Sequence, residues 1–247
     1  MNLPLLAQFS GISLCEGAAV PLMNRVDTKY LIPRHQLNEI IGGLKPHYNI
    51  LELQHKRIFR YDTLYFDTPA RLFYHQHLRG KLSRYKIRTR RYVDTDTDFF
   101  EIKHKNNKHR TIKNRIQVPD MGEYLCRDSR QFLAQQLPHF RLPLEPTLWV
   151  YYHRFTLINK HLDERLTFDI NVWFRWQQQS IAYPHMVVAE LKQDFPFHSP
   201  FVELMKQVEI RAGGISKYCL GMSSLQPALR NNAFKPTISK INHLHEY

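Results

Sequence analysis

The chain has 247 residues, of which 43% are hydrophobic and 13% aromatic, which is ample for a packed core and excludes disorder throughout. Its 35 Lys+Arg against 22 Asp+Glu leave a formal net charge of +13, pointing to nucleic acid, anionic membrane or a phosphate-rich small molecule as partner. Three cysteines (Cys15, Cys126, Cys219) without metal-ligand spacing exclude a disulfide framework or zinc site, and no apolar run approaches the roughly 18 residues of a membrane span. With no basic leader followed by an apolar stretch, the chain reads as cytoplasmic.

In chain order, alternation predicts a first strand at 24–32, followed by a helix at 34–43 in which Leu37, Ile40, Ile41 and Leu44 share a face. A strand at 57–66 precedes a helix at 69–79 that starts from Pro69. Strands at 82–93, 97–106 and 110–119 are separated by Asp94-Thr95-Asp96 and Asn106-Asn107, both turn chemistry. A helix at 128–137 leads to strands at 147–158 and 163–173, joined through Asn159-Lys160-His161, and to an eighth strand at 184–193. Helices follow at 200–212, with Pro200 in the first position, and at 216–224, with Ser216 as N-cap. No linker divides the chain, so residues 1–226 read as one domain and Pro227 to Tyr247 as a weakly patterned, mobile tail.

The period of two that a strand imposes sorts the charges. Arg84, Lys86, Arg88 and Arg90 fall on one face of one strand, Lys103 and Lys105 with Glu101 on the next, and Lys113 and Arg115 on a third. Tyr152 and Arg154 share a face, as do Arg165, Thr167 and Asp169, then Glu190 and Lys192, while Arg25, Asp27 and Lys29 line one side of the first strand. The bland account is a solvated outer face, the ordinary use of charge in antiparallel sheets. Stacked charge of one sign is self-repelling, however, and the acids are sparse. We therefore expect an α+β, mainly antiparallel fold: an eight-stranded closed barrel with the cations inside and helices packed outside.

Asp27, Glu101, Asp169 and Glu190 would organise those cations as ion pairs, or one or two of them would hold Mg²⁺ or Mn²⁺ on a phosphate. The fourteen histidines include no HExxH pair, and there is no P-loop, GxGxxG or GxSxG. Tyr85, Tyr92 and Phe99 are read as alternating out of the charged rows, as barrel packing rather than stacking platforms, so nucleic acid is not expected.

These pieces together resemble the VTC domain (vacuolar transporter chaperone, polyphosphate polymerase) family of the triphosphate tunnel, or CYTH-like, enzymes. The resemblance runs from Arg25 to about Gly221 and rests on RVDTKYLI at 25–32, YDTLYFDT at 61–68, RYKIRTRRY at 84–92 and FFEIKHK at 99–105. It continues through IKNR at 112–115, YYHRFTL at 151–157, ERLTFDINV at 164–172, VVAELK at 187–192 and SKYCLG at 216–221. It implies a tunnel that binds ATP and inorganic polyphosphate and transfers the terminal phosphoryl group onto a growing chain, with a divalent metal, Mn²⁺ or Mg²⁺. Carried over, the phosphate-binding and catalytic residues are Lys29, Arg88, Arg90, Lys103, Lys113, Arg154, Arg165 and Lys217, assisted by Tyr152 and Ser216, with Glu190 as metal ligand. Strand parity alone adds Arg84, Lys86, Lys105, Arg115 and Lys192.

Relatives that hydrolyse triphosphates open with an ExExK pattern, whereas Arg25 and Asp27 occupy the two acid positions here. Loss of one carboxylate favours the polymerase branch over a metal-dependent triphosphatase, the nearer alternative. A non-catalytic module binding RNA or polyphosphate is the other. With no membrane segment in the chain, any delivery of product across a membrane falls to a separate protein.

Overall fold

The structure, a computed structural model, describes residues 3–18, 26–108, 110–161, 163–193 and 199–245. Arg25, the first of the two acid-position residues, lies outside them. In order the elements are β1 (Gly11–Ile12), α1 (Leu14–Ala18), β2 (Val26–Pro33), α2 (Leu37–Leu44), β3 (Tyr48–Leu51), β4 (Phe59–Asp67) and α3 (Leu72–Leu78). Next come β5 (Arg84–Tyr92), β6 (Thr97–Lys105), β7 (Thr111–Val118), α4 (Arg127–Gln136), β8 (Glu145–Asn159) and β9 (Glu164–Trp176). The chain finishes with β10 (Gln179–Tyr183), β11 (Met186–Gln193), α5 (Pro200–Gln207), α6 (Lys217–Leu225) and α7 (Lys235–Asn242).

The eight expected strands form one antiparallel path, β2-β11-β9-β8-β4-β5-β6-β7. Three short strands extend it: β3 on β8, β10 on β9, and β1 parallel to β3. The α+β, mainly antiparallel expectation holds, but closure does not: among the described residues β2 and β7 are not hydrogen-bonded, and the sheet is open. It curls far enough for Lys103 on β6 to reach Asp27 on β2, with Nζ 3.8 Å from Oδ2. β7 is an edge strand whose Thr111 and Arg115 are exposed and whose Lys113 side chain is partly covered, and charged side chains on an edge oppose pairing with another strand.

Apolar residues collect in three clusters. On the convex side, α2 and α5 cover Ile32, Phe155, Leu157, Phe168 and Leu191, while α3 and α4 cover Leu64, Ile87, Phe100 and Ile102. The third cluster corrects the expectation that all helices pack outside. Helix α6 lies against Leu31, Tyr65, Leu148, Val150, Val172, Phe174 and Val188, which share the charged face by strand parity. Its Tyr218, Cys219, Leu220, Met222 and Leu225 are all buried, and a helix apolar on every side belongs in an interior. A Cβ on Gly221 would sit 2.6 Å from both Leu148 and Phe174, so only glycine permits this approach.

The inner face is thus divided into an apolar part filled by α6 and a polar part. A β-bulge marks the division: the register shifts between Tyr151 and His153, and Asn171 opposite takes φ 51°. The bulge turns Val172 and Phe174 toward α6 on one side while Asp169, Thr167 and Arg165 face the cations on the other.

Other boundaries also moved. The helix expected at 69–79 begins at Leu72, and the one expected at 200–212 ends at Gln207. Glu209 takes φ 56° there, and the Ile210 N–H donates to the Met205 carbonyl at 2.8 Å, a Schellman stop built without glycine. The tail contains α7, and Ile241 and Leu244 are buried in the α6 cluster.

Candidate functional site

The polar part of the concave face gathers the cations singled out by alternation, apart from Arg25, which lies outside the described residues. Register places Arg84 opposite Lys105, Lys86 opposite Lys103, and Lys103 opposite Lys113. Arg88 faces Glu101, which faces Arg115. From the other half of the sheet come Lys29 opposite Glu190, Lys192 opposite Arg165, and Arg154 opposite Asp169. Helix α6 adds Ser216 as N-cap and Lys217 in its first turn.

Four carboxylates organise these cations. Glu101, 1% exposed, accepts from Arg88 Nε at 2.7 Å and pairs with Lys113 Nζ at 2.5 Å. Asp169 accepts both prongs of the Arg154 fork at 2.5 and 2.8 Å, and also pairs with Lys217. Glu190 divides its oxygens between Lys29 and Lys192, each at 3.1 Å, and Asp27 faces Lys103. Burial would raise the carboxyl pKa values, but the neighbouring cations outweigh it: Asp169 is held at about 2, and Glu101 and Glu190 are also well below normal.

Cations outnumber these acids, and the lysines register it. Burial and the neighbouring Lys86 and Lys29 bring Lys103 down to about 7, although Glu190 and Asp27 pull the other way. Burial likewise lowers Lys113 to about 8 against the attraction of Glu101. Lys86, Lys192 and Lys217 are lowered too, chiefly by desolvation. Such a face holds charge at a cost that an anion would remove.

Aromatic rings floor the site. Tyr61 and Tyr152 stack with centroids 5.2 Å apart, and the guanidinium groups of Arg90 and Arg154 lie over both rings at 5.3 to 5.9 Å. Lys217 Nζ is 4.9 Å from the Tyr152 centroid. Tyr65 OH accepts from Arg88 at 3.0 Å, Thr63 Oγ1 accepts from Arg90 at 3.2 Å, and Ser216 Oγ accepts from Lys86 at 2.9 Å.

Sequence reasoning missed Tyr61, Thr63 and Tyr65, although their i, i+2 spacing in the strand at 57–66 carried the signal. It also misplaced two rings. Tyr92 and Phe99 do not alternate out of the charged rows: Tyr92 packs on Tyr61 at 5.0 Å, and Arg115 lies 4.3 Å above the Phe99 ring. Tyr85 does point outward, stacked on His104.

The arrangement can grip a chain of phosphates. Planar guanidinium forks hold paired oxygens, while ammonium groups act as movable point charges. A divalent ion was expected on Glu190: its carboxylate faces the concave side between Lys29 and Lys192, and a hard ion held there by one carboxylate would take phosphate and water oxygens as its other ligands. Among the described residues no three His, Cys, Asp or Glu side chains cluster to hold a metal by themselves.

The VTC domain family profile matches residues 24–226. No curated protein matches the chain. Among solved structures, a proposed adenylate cyclase of Bacillus halodurans superposes with TM-score 0.47 and 13% identity over 78% of this chain and 96% of that one. A proposed adenylate cyclase of Vibrio parahaemolyticus gives TM-score 0.47 and 14% identity over 79% and 97% of the two chains. A proposed adenylyl cyclase of Hippeastrum, described as having a dominant triphosphatase activity, gives 0.42 and 12% over 81% and 96%.

Proposed function

The chain belongs to the VTC domain family, and from that premise we propose that it is a phosphotransferase that lengthens inorganic polyphosphate at the expense of ATP. The observation that carries this reading is the convergence of cations from seven strands and one helix on a single concave face. There Glu101, Asp169 and Glu190 hold the cations in position and leave a positive excess for the substrate. On this reading the curled sheet works as a tunnel around the phosphate chain.

Arg88, Arg90, Arg154 and Arg165 grip the triphosphate, and Lys29, Lys103 and Lys217 track the growing chain. A terminal oxygen of the chain attacks the γ-phosphorus, the bond to the β–γ bridging oxygen breaks, and ADP leaves with that oxygen's charge. Phosphoryl transfer needs in-line placement and stabilisation of charge on the nonbridging oxygens, which fixed guanidinium groups supply. The Tyr61–Tyr152 stack holds Arg90 and Arg154 from below, so the forks are oriented before substrate arrives. Glu190 would hold a divalent ion, which supplies further neutralisation of phosphate oxygens when bound.

The test is product identity. Pure protein incubated with ATP and Mn²⁺ should yield acid-stable phosphate polymer and ADP together, and Arg88→Ala should lower kcat/KM by about 100-fold or more. Release of orthophosphate without polymer would replace this reading with a triphosphatase. A folded Arg88→Ala or Glu190→Gln variant working at the wild-type rate would overturn the residue assignment.

A further inference from the structure

The cationic rows do not stop where the strands stop. Arg84 is the last inward residue at one end of β5 and Lys105 is its partner at the end of β6. Beyond them each strand continues into a loop. The Arg84 Nη1 donates to the Lys81 carbonyl at 2.7 Å, fixing the loop after α3 against the strand. That loop is itself locked: Gly80 takes φ 64°, and the Lys81 N–H donates to the Gln76 carbonyl at 2.9 Å. In the β6–β7 hairpin, Asn106 Oδ1 accepts from the N–H groups of Lys108 and Arg110, each at 3.0 Å. Lys81, Lys108 and Arg110 are exposed.

No acid interrupts either segment, 78–86 or 102–118, in the sequence. Burial and the like charges of Arg84 and Lys29 lower the Lys105 pKa. The opposite end of the same two strands is different in kind. There the β5–β6 turn carries Asp94, paired with Lys56, and the exposed Asp96, while the Asp62–Arg60 and Asp98–Arg91 pairs lie on the convex side by strand parity. The loops at one end of β5 and β6 carry only basic charge, and the turn at the other end carries two acids.

We propose that Lys81, Lys108 and Arg110 form an outer landing for a linear inorganic phosphate chain, and that the chain passes over this end of the face and not the other. The inference rests on the polyphosphate reading above. A strand rises about 3.4 Å per residue, so Arg84 to Arg90 spans only about 20 Å, and a longer phosphate chain must extend past the strands. At the basic end it meets charge on locked loops. At the other end it would meet the carboxylates of Asp94 and Asp96 in the turn between the strands.

The experiment measures equilibrium binding of two probes, inorganic triphosphate and a long-chain inorganic polyphosphate, with an RNA oligomer of similar total charge as a third. The wild type should bind the long chain more tightly than triphosphate. The triple variant Lys81→Glu, Lys108→Glu, Arg110→Glu should weaken long-chain binding roughly tenfold and leave triphosphate binding unchanged. A control triple, Arg130→Glu, Lys235→Glu, Lys240→Glu, makes the same change in net charge on other exposed residues and should not reproduce the loss.

Equal losses in both triples, or no loss in the first, would overturn the landing while triphosphate binding still upheld the inner site. RNA bound as tightly as polyphosphate would overturn the assignment to phosphate chains. Failure of the wild type to bind triphosphate at all would remove the functional reading itself, a result distinct from the others. A melting curve for each variant establishes that it is folded, and the graded Gln variants at the same positions give an intermediate loss.

Discussion

Asp169 is 2% exposed and carries two cations, Arg154 through a bidentate fork and Lys217 through its ammonium. Replacing it with asparagine keeps the shape and removes the charge, leaving two largely buried cations facing each other. Breaking a buried ion pair from one side typically costs about 3–5 kcal/mol, so urea unfolding of Asp169→Asn should show a loss of that order. The same change makes the concave face more positive. Triphosphate should therefore bind the variant at least as tightly as the wild type, and saturating triphosphate should recover part of the lost stability. Unchanged stability would mean that solvent already screens these pairs. A large loss of triphosphate affinity would mean that Asp169 contributes by orienting the fork more than by opposing the anion.

Helix α6 is the element on which the site most depends, because it fills the apolar part of the concave face and presents Ser216 and Lys217 to the polar part. Its position is held by contact and by one polar bond: the Tyr218 OH donates to Asp67 at 2.6 Å, and Asp67 in turn accepts from the N–H groups of Phe73 and Tyr74 at the start of α3. Gly221→Ala would place a methyl carbon within 2.6 Å of Leu148 and Phe174, and overpacking of this kind costs roughly 1–3 kcal/mol. The expected outcome is a lower melting temperature with an accompanying rise in KM for ATP, since Lys217 shifts with its helix; a variant as stable and active as the wild type would show that α6 can slide. This helix also marks where sequence reading stopped. Parity sorted the cations on β5, β6 and β7 correctly because alternation is a local property of a strand. It could not tell which side of the sheet a helix would occupy, and α6 has buried residues on all faces, from Tyr218 to Leu225, without the one-sided stripe seen in Leu37, Ile40, Ile41 and Leu44. The bulge at Asn171 was equally hidden, because a single extra residue in β9 leaves the composition of the strand unchanged while reversing which residues face inward. Tyr92 and Phe99 were legible from their spacing and were simply misread.

At the scale of the whole molecule, the concave face couples protonation, stability and anion binding. An unfolded lysine titrates near 10.4, whereas Lys103 and Lys113 titrate at about 7 and about 8 in the folded chain. Below pH 7 both states carry these protons and the folded chain bears the full repulsion. Between roughly pH 8 and 10 the unfolded chain binds more protons than the folded one, so stability from these two groups rises with pH. A bound phosphate chain reverses the balance, because it favours the ammonium forms and draws protons onto the lysines. Binding at pH 8.5 should therefore take up protons, seen by calorimetry as a heat that differs between buffers of different ionisation enthalpy. Affinity for triphosphate should fall as pH rises from 7 to 9, and triphosphate should raise the melting temperature more at pH 7 than at pH 9. Lys103→Arg keeps its charge across this range and should flatten the affinity profile. Triphosphate binding without proton uptake at pH 8.5, or with an affinity that climbs toward pH 9, would show that these ammonium groups do not face the bound anion.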